Sequence, residues 1–305
     1  LMSGYVVSTS PVRAGTRLVL YMVWTLILLP VQMVAVMLNL PLARVVPMIY
    51  HRGCLFLFGI SVSRKGEPVH GGSVLFVVNH CGYIDIAIMG ALVPCVFVAK
   101  MEISQWPFFG FLARLQRTVF VNRQAYLSAG TQRDILRARL AAGENLILFP
   151  EGTSSDGNRT LAFKSSLFSS AVPDLDDDPV VLQPVTIAYT RLDGIPMGWT
   201  MRPYCAWYGD VGLMPHMWRL FGMGRVSVEV EFHDPITVTC NSRRKELASS
   251  CHRIISRGLS ESLSGRSPNP ANLDSPPLSA SFSRGFSSVG GKTGGNHTGL
   301  RKGFR

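Results

Sequence analysis

Charge is scarce in this chain of 305 residues, and acidic charge is the scarcer kind: Asp and Glu number 19 against 30 Lys and Arg. Charged residues make up 16% of the whole, below the roughly 25% usual in soluble domains. From Leu18 to Leu42 there is no charged residue at all. The six cysteines, Cys54, Cys81, Cys95, Cys205, Cys240 and Cys251, form no C-x-x-C pair and no Cys/His spacing suited to zinc, so no metal is expected and a reducing compartment is the simplest reading. No G-x-S-x-G occurs, which argues against an α/β-hydrolase esterase. Neither G-x-x-x-x-G-K-[ST] nor G-x-G-x-x-G occurs, so nucleotide binding of those kinds is unsupported. The basic residues form no aromatic-interleaved stripe, which turns the excess charge away from nucleic acid.

What the chain has instead is apolar length near its beginning. Its hydrophobic fraction is 47% and its mean hydropathy +0.22. At about 1.5 Å per residue, Leu18 to Leu42 would cross a bilayer core of about 30 Å, although Pro30 interrupts it. Arg13 and Arg17 precede the run and Arg44 and Arg52 follow it, so flanking charge sets no orientation. A second apolar segment, Leu55 to Val62, comes soon after. Two readings stay open, one kinked span or a pair of helices that enter and leave on one side, and the symmetric charge favours the pair. No small-residue cleavage site follows, so a signal peptide is not expected. A net charge of +11 and a pI near 9.7 suit attraction to membrane lipids and to an acidic co-substrate.

The remainder alternates. Strands are expected over Ser73–Val78, Val96–Ala99, Thr118–Val121, Leu146–Phe149, Val180–Ala188 and Val226–Phe232, with helices over Tyr83–Leu92 and Ser128–Ala142, the latter closed by Gly143. That order predicts an α/β domain with a central mixed sheet flanked by helices, after an N-terminal membrane-embedded helical segment. The expected division is 1–65 for the anchor, 66–258 for the domain and 259–305 for a basic Ser/Gly/Pro-rich tail. The tail carries Arg266, Arg284, Lys292, Arg301, Lys302 and Arg305 among few large apolar residues, and is expected to be disordered. The acid cluster between Pro173 and Pro179 reads as a solvated turn, and His216, His233 and His252 as ordinary structure.

Two segments carry chemistry. In Asn79-His80-Cys81-Gly82-Tyr83-Ile84-Asp85, histidine and aspartate stand five apart just after an apolar strand. On one helix they would lie about 140° apart. With a bend between strand and helix, Asp85 can bond one ring nitrogen and leave the other to take a proton from a substrate hydroxyl. That is the His–Asp half of a serine-protease triad, with a substrate alcohol in place of the serine. Cys81 beside His80 raises a thiol nucleophile as an alternative, but neighbours at a strand end tend to point apart. The second segment, Leu146 to Thr153, runs an apolar strand into Pro150, Glu151, Gly152 and Thr153; Pro150 ends the ladder and Gly152 allows close backbone approach.

Together these segments resemble the glycerolipid acyltransferase family that includes the bacterial 1-acylglycerol-3-phosphate O-acyltransferases, whose signatures are N-H-x-S-x-x-D and F-P-E-G-T-R-S. Val119-Phe120-Val121-Asn122-Arg123 is similar to the family's G-x-x-F-I-x-R block, and Gln183-Pro184-Val185 to a later V-P-V-type strand; the resemblance covers about residues 70 to 240. It implies that His80 deprotonates a lysolipid hydroxyl and Asp85 orients it. It further implies that Arg123 holds an anionic head group and that Glu151, Gly152 and Thr153 shape the acceptor site. Lys100 stands where many relatives carry a lysine and would add a second positive charge, unless it is a solvated surface lysine.

The departures bear on the acceptor. The motif serine is Gly82 here, the glycine of the second block is Arg117, and the arginine of F-P-E-G-T-R-S is Ser154. Arg117 could restore the lost cation, or the acceptor could carry less negative charge than a phosphate. The stretch Phe149 to Arg159, with Lys164 to Phe168 and Ala206 to Asp210, resembles most a subgroup that includes lyso-ornithine lipid acyltransferases. The expectation is thus direct acyl transfer from acyl-carrier-protein or coenzyme A thioester, without a cofactor. Backbone amides near Gly82 or Gly152 are expected to hold the oxyanion. The acceptor is 1-acylglycerol-3-phosphate, as in the wider family, or lyso-ornithine lipid, and the place is the cytoplasmic face of a bacterial inner membrane. A membrane lipid-binding protein without turnover is the reading of another class.

Overall fold

The computed structural model describes residues 8–70, 72–121, 129–175 and 178–265. The charge-free stretch folds as two helices. Helix α1, Pro11–Met37, starts at Ser10, whose Oγ accepts from Arg13 N at 3.3 Å, and continues through Pro30. After a turn in which Asn39 has φ 52°, helix α2 runs from Leu42 to Phe58 and stops at Gly59, φ 71°. Pro47 inside α2 has no N–H for the carbonyl of Ala43. Gln32 Nε2 serves that orphan at 3.2 Å and also donates to Leu115 O at 2.9 Å, which explains an amide buried in an apolar helix. The helices cross at Gly53, where a Cβ would overlap the Trp24 ring.

The expected second membrane segment, Leu55 to Val62, is corrected by the structure. Its first half ends α2, and the rest enters strand β1, Ile60–Lys65, which pairs in parallel with β8, Val226–Phe232, from Ile60↔Val226 to Lys65↔Glu231. A boundary at residue 65 therefore cuts through the sheet. The alternation of Ile60-Ser61-Val62-Ser63 is a half-buried strand pattern that was hidden by its apolar neighbour.

The sheet is mixed. In chain order its further strands are β2 Val74–Val78, β3 Val96–Lys100, β4 Val119–Val121, β5 Leu146–Leu148, β6 Val180–Leu192, β7 Ile195–Pro196 and β9 Ile236–Val238. The spatial order is β1-β8-β6-β2-β5-β3-β4, with β7 and β9 on β6. Strands β6, β2, β5, β3 and β4 run parallel, whereas β8 is antiparallel to β6. Strand β2 is buried at every position, because both sheet faces are covered. Alternate side chains divide the core. Val74, Phe76 and Val78 join one cluster with residues of α1, α2, α3 (Tyr83–Leu92) and α6 (Leu213–Gly222), among them Tyr21, Phe58, Ile88 and Phe221. Leu75 and Val77 face α5 (Ala129–Ala141) and α7 (Arg244–Leu263) through Leu136, Leu140, Cys251 and Ile255.

A tail beginning at 259 is also corrected. Helix α7 continues to Leu263, with Leu259 buried and Ser262 Oγ donating to Glu229 Oε1 at 2.5 Å. The remaining tail, 266–305, lies outside the described residues. Helix α4, Pro107–Leu115, and α6 were not anticipated from the sequence.

Candidate active site

The site lies at the carboxyl ends of the parallel strands, where α/β sheets place ligands. Beyond Val78, Asn79 continues the β2–β6 ladder with its side chain: Nδ2 donates to Ile187 O at 2.9 Å and Oδ1 accepts from Ile187 N at 2.8 Å. This pins the chain just before it bends. His80 N then donates to Glu151 Oε1 at 2.9 Å, and α3 begins at Tyr83. The bend brings His80 Nδ1 to 2.9 Å from Asp85 Oδ2.

Asp85 is fully buried and its oxygens are saturated. Oδ2 also accepts from Cys81 N at 2.6 Å and Gly82 N at 2.9 Å, and Oδ1 accepts from Tyr189 Oη at 2.7 Å. Burial, reinforced by the Asp85 charge, pushes the Tyr189 phenol far up, so it stays protonated and donates. An acceptor-only carboxylate facing Nδ1 places the imidazole proton there and leaves Nε2 able to accept one. The ring is steadied by Phe149, stacked at 4.2 Å between centroids and 26° between planes.

Glu151 belongs to the same construction. Its two oxygens accept from His80 N and Leu161 N, both at 2.9 Å, tying the β5 loop to the histidine. Burial raises its carboxyl to about 7 despite those two donors. Gly152 has φ 73° and is buried, and Thr153 is exposed on the turn. Ser155 N donates to His80 O at 2.8 Å. Lys100 is exposed at the end of β3, two strands from β2 and therefore about 10 Å across the sheet.

Three expectations fare differently. Arg117 is not brought to this site. It precedes β4, at the opposite end of the sheet, and its Nη2 lies 2.6 Å from Glu144 Oε1. The reason is local: φ is 62°, the turn that ends α4, a place where the family's glycine would sit without strain. The amides of Gly82 and Gly152 are not waiting for an oxyanion, because they donate to Asp85 and to Phe149 O. Arg123 lies outside the described residues, as do Asp176 and Asp177 of the acid cluster.

Cys81 points away from the reacting side, toward Ser155 at 3.9 Å, and burial, with Asp85 next, pushes its thiol far above the usual range. A thiolate nucleophile there is unsupported. Gly82 is explained by the loop that covers it. Trp207 N donates to Cys81 O at 2.8 Å, and a Cβ at Gly82 would stand 3.0 Å from Trp207 N and 3.1 Å from its Cβ. Sequence reasoning missed Tyr189 as part of the site, and gave no role to Phe149 and Trp207 although both lie in stretches that carry the family resemblance. Nothing in the spacing marks Tyr189, which comes from a strand that only folding brings beside Asp85. Among the described residues no group of three or more His, Cys, Asp or Glu could hold a metal ion.

A family model described as Acyltransferase matches residues 60–188. A lyso-ornithine lipid O-acyltransferase from Rhizobium meliloti (strain 1021) is 39% identical over 269 residues, covering 87% of this chain and 92% of the relative. The chain belongs to the acyltransferase family. This acyltransferase is also similar to a 1-acyl-sn-glycerol-3-phosphate acyltransferase of Neisseria gonorrhoeae, 34% identical over 174 residues, 57% of this chain and 64% of that relative. Its fold is that of the 1-acyl-sn-glycerophosphate acyltransferase PlsC from Thermotoga maritima, with a TM-score of 0.50 at 21% identity over 70% of this chain and 77% of that one. As an acyltransferase it is an enzyme, and the exposed apolar face of α1 suits association with a membrane.

Proposed function

We propose that this acyltransferase moves a fatty acyl group from an acyl-carrier-protein or coenzyme A thioester to the free hydroxyl of a lysolipid at a membrane surface. The observation that carries it is the His80–Asp85 pair, held by four donors to one buried carboxylate and set at the open end of the sheet. His80 Nε2 takes the hydroxyl proton as the oxygen attacks the thioester carbonyl. The new C–O bond forms, the C–S bond breaks, and the imidazolium, stabilised by Asp85, returns the proton to the leaving thiolate. The thioester is already activated, so alignment and base catalysis are the main tasks.

For the acceptor, lyso-ornithine lipid is the favoured reading and 1-acylglycerol-3-phosphate the second. Supporting the first are the names of the relatives that match most of the chain, Ser154 in place of a motif arginine, and Arg117 turned to the far end of the sheet. The sequence alone ranks the phosphate acceptor first, because it is the commonest activity in the wider family; Arg117, the cation that could stand in for the one lost at Ser154, pairs with Glu144 instead. The Neisseria relative and Lys100 at the rim keep the phosphate reading in view. We place the site on the cytoplasmic side of a bacterial inner membrane, where both acidic donors are soluble. Purified protein, offered each acceptor with matched donors and followed by product mass, tests all of this. Turnover of neither would return the protein to a lipid binder without catalysis.

A further inference from the structure

At the amino-terminal ends of β4 and β5, one buried carboxylate is surrounded by three guanidinium groups. Glu144 Oε1 lies 2.6 Å from Arg117 Nη2 and 3.9 Å from Arg44 Nη2, and Oε2 lies 2.8 Å from Arg139 Nη1. One carboxylate balances one guanidinium, so the cluster carries two positive charges in excess. The Glu144 side chain is 5% exposed, while those of Arg44, Arg117 and Arg139 are 61%, 37% and 30% exposed. Each guanidinium has five N–H donors, and a single carboxylate cannot take them all.

The cluster adjoins the apex of the α1–α2 hairpin. Gln32 clamps Ala43 O, next to Arg44, and Leu115 O, two residues before Arg117. At that apex Met37, Leu38, Leu40 and Leu42 are 74%, 57%, 40% and 42% exposed. Apolar side chains beside unspent guanidinium donors match the boundary of a lipid leaflet, acyl region against phosphate. Arg117 adds a second argument: its left-handed backbone costs a non-glycine residue energy that the turn itself does not require.

We infer that Arg44, Arg117 and Arg139 form a site for the phosphate of an anionic membrane lipid, distinct from the acyl-transfer site. Glu144 and Glu151 are seven residues apart through β5, about 20 Å of extended chain. Glu151 binds the backbone of His80, so the lipid contact is remote from the reacting atoms. At the other end, α1 is tied to the catalytic side of the sheet: Ser10 N donates to Gly222 O at 3.0 Å and Arg17 Nη1 to Met223 O at 2.9 Å. The cluster is thus the far point of a two-point attachment that lays α1 flat on the leaflet. The inference rests on the enzyme being membrane-bound, not on which acceptor it uses.

The test is sedimentation of the full chain with phosphatidylcholine vesicles and with the same vesicles containing phosphatidylglycerol. The variant is Arg44→Gln with Arg117→Gly, in which glycine suits the backbone and Arg139 still pairs Glu144. Expected is a loss of about 25-fold in affinity for the anionic vesicles, about fivefold (about 1 kcal/mol) for each arginine near an anionic leaflet. Binding to the zwitterionic vesicles and turnover of acceptor in detergent micelles should be unchanged. Undiminished binding to anionic vesicles overturns the site, and so does an equal loss on both vesicle types. Displacement of wild type by millimolar inorganic phosphate would show a free-anion site and overturn the lipid assignment. Wild type that binds neither vesicle would refute the membrane reading itself, a separate outcome.

Discussion

Asp85 shows why the smallest change at this site is costly. Its carboxylate accepts from His80, Cys81, Gly82 and Tyr189. Asp85→Asn puts an amide N–H against one of these donors and lets the imidazole take the other tautomer; we expect a fall in kcat of about 10⁴-fold, the size of such a loss in a triad. His80→Ala should abolish transfer while melting temperature and membrane association hold, and near-normal turnover by the folded variant would refute the base. Glu151 offers a test through pH. Burial raises its pKa to about 7, against about 4.3 in an open chain. The folded state therefore holds its proton more tightly, and that contribution to stability, complete below pH 4, is lost as pH rises through about 7. In Glu151→Gln an amide must face one of the two backbone donors, His80 N or Leu161 N, so the variant is less stable throughout. Because glutamine does not ionise, the gap in melting temperature between wild type and variant should narrow from pH 5 to pH 8. A gap that widens would show that the carboxylate form is the favoured one.

At the scale of elements, the strands and the catalytic bend were legible because their signals are local. An apolar run, Asn79, a histidine and a helix-starting Tyr83 are contiguous, and helix α3 follows the expected bounds. Strand β8 alternates buried and half-buried residues as its Val-Ser-Val-Glu-Val pattern implies. Strand β1 was misread because Ile60 and Val62 continue the apolar run of α2, and only pairing with β8 distinguishes a strand from a helix end there. The last turns of α7 were missed for the opposite reason. Ser260, Glu261 and Ser262 look like tail composition, but Leu259 and Ser262 are buried and Gly258 lies where a Cβ would overlap His233 and Thr186. Truncation thus has a sharp edge. Removing 266–305 should leave melting temperature and turnover nearly unchanged, whereas removing 259–305 deletes buried Leu259 and the Ser262–Glu229 bond. By analogy with leucine truncations in cores, that should cost about 2–5 kcal/mol. Equal melting temperatures for the two truncations would place the end of the domain at 258 after all.

For the whole molecule the question is how a helix long enough to cross a bilayer is used. One side of α1 is committed to the protein: Ala14, Tyr21, Thr25, Gln32 and Ala35 are buried, and Tyr21 touches Phe58, Phe108 and Phe221. The polar members of that stripe bond inward, Thr25 Oγ1 to Tyr21 O at 2.8 Å and Gln32 Nε2 to Ala43 O and Leu115 O, while Gln32 Oε1 is buried without a partner among the described residues. The other side carries Leu20, Val23, Ile27, Val31 and Val34, all 41–57% exposed. A helix that crossed alone would meet lipid on every side, whereas this one has a protein face along its length. The arrangement fits a helix lying in the interface with its outward aliphatics among acyl chains. Changing those five residues to Ser or Gln should therefore release the enzyme from membranes in a high-salt wash, since each buried aliphatic contributes about 1–2 kcal/mol. Folding should survive, because none of the five is in the core, and turnover of a micellar acceptor should survive with it. Gln32→Leu is the opposite case. It strands the carbonyls of Ala43 and Leu115 and should lower the melting temperature while the outward face, and hence membrane affinity, is kept. If the fivefold variant stays wholly membrane-bound after the wash, the anchor lies elsewhere and α1 serves only to complete the domain.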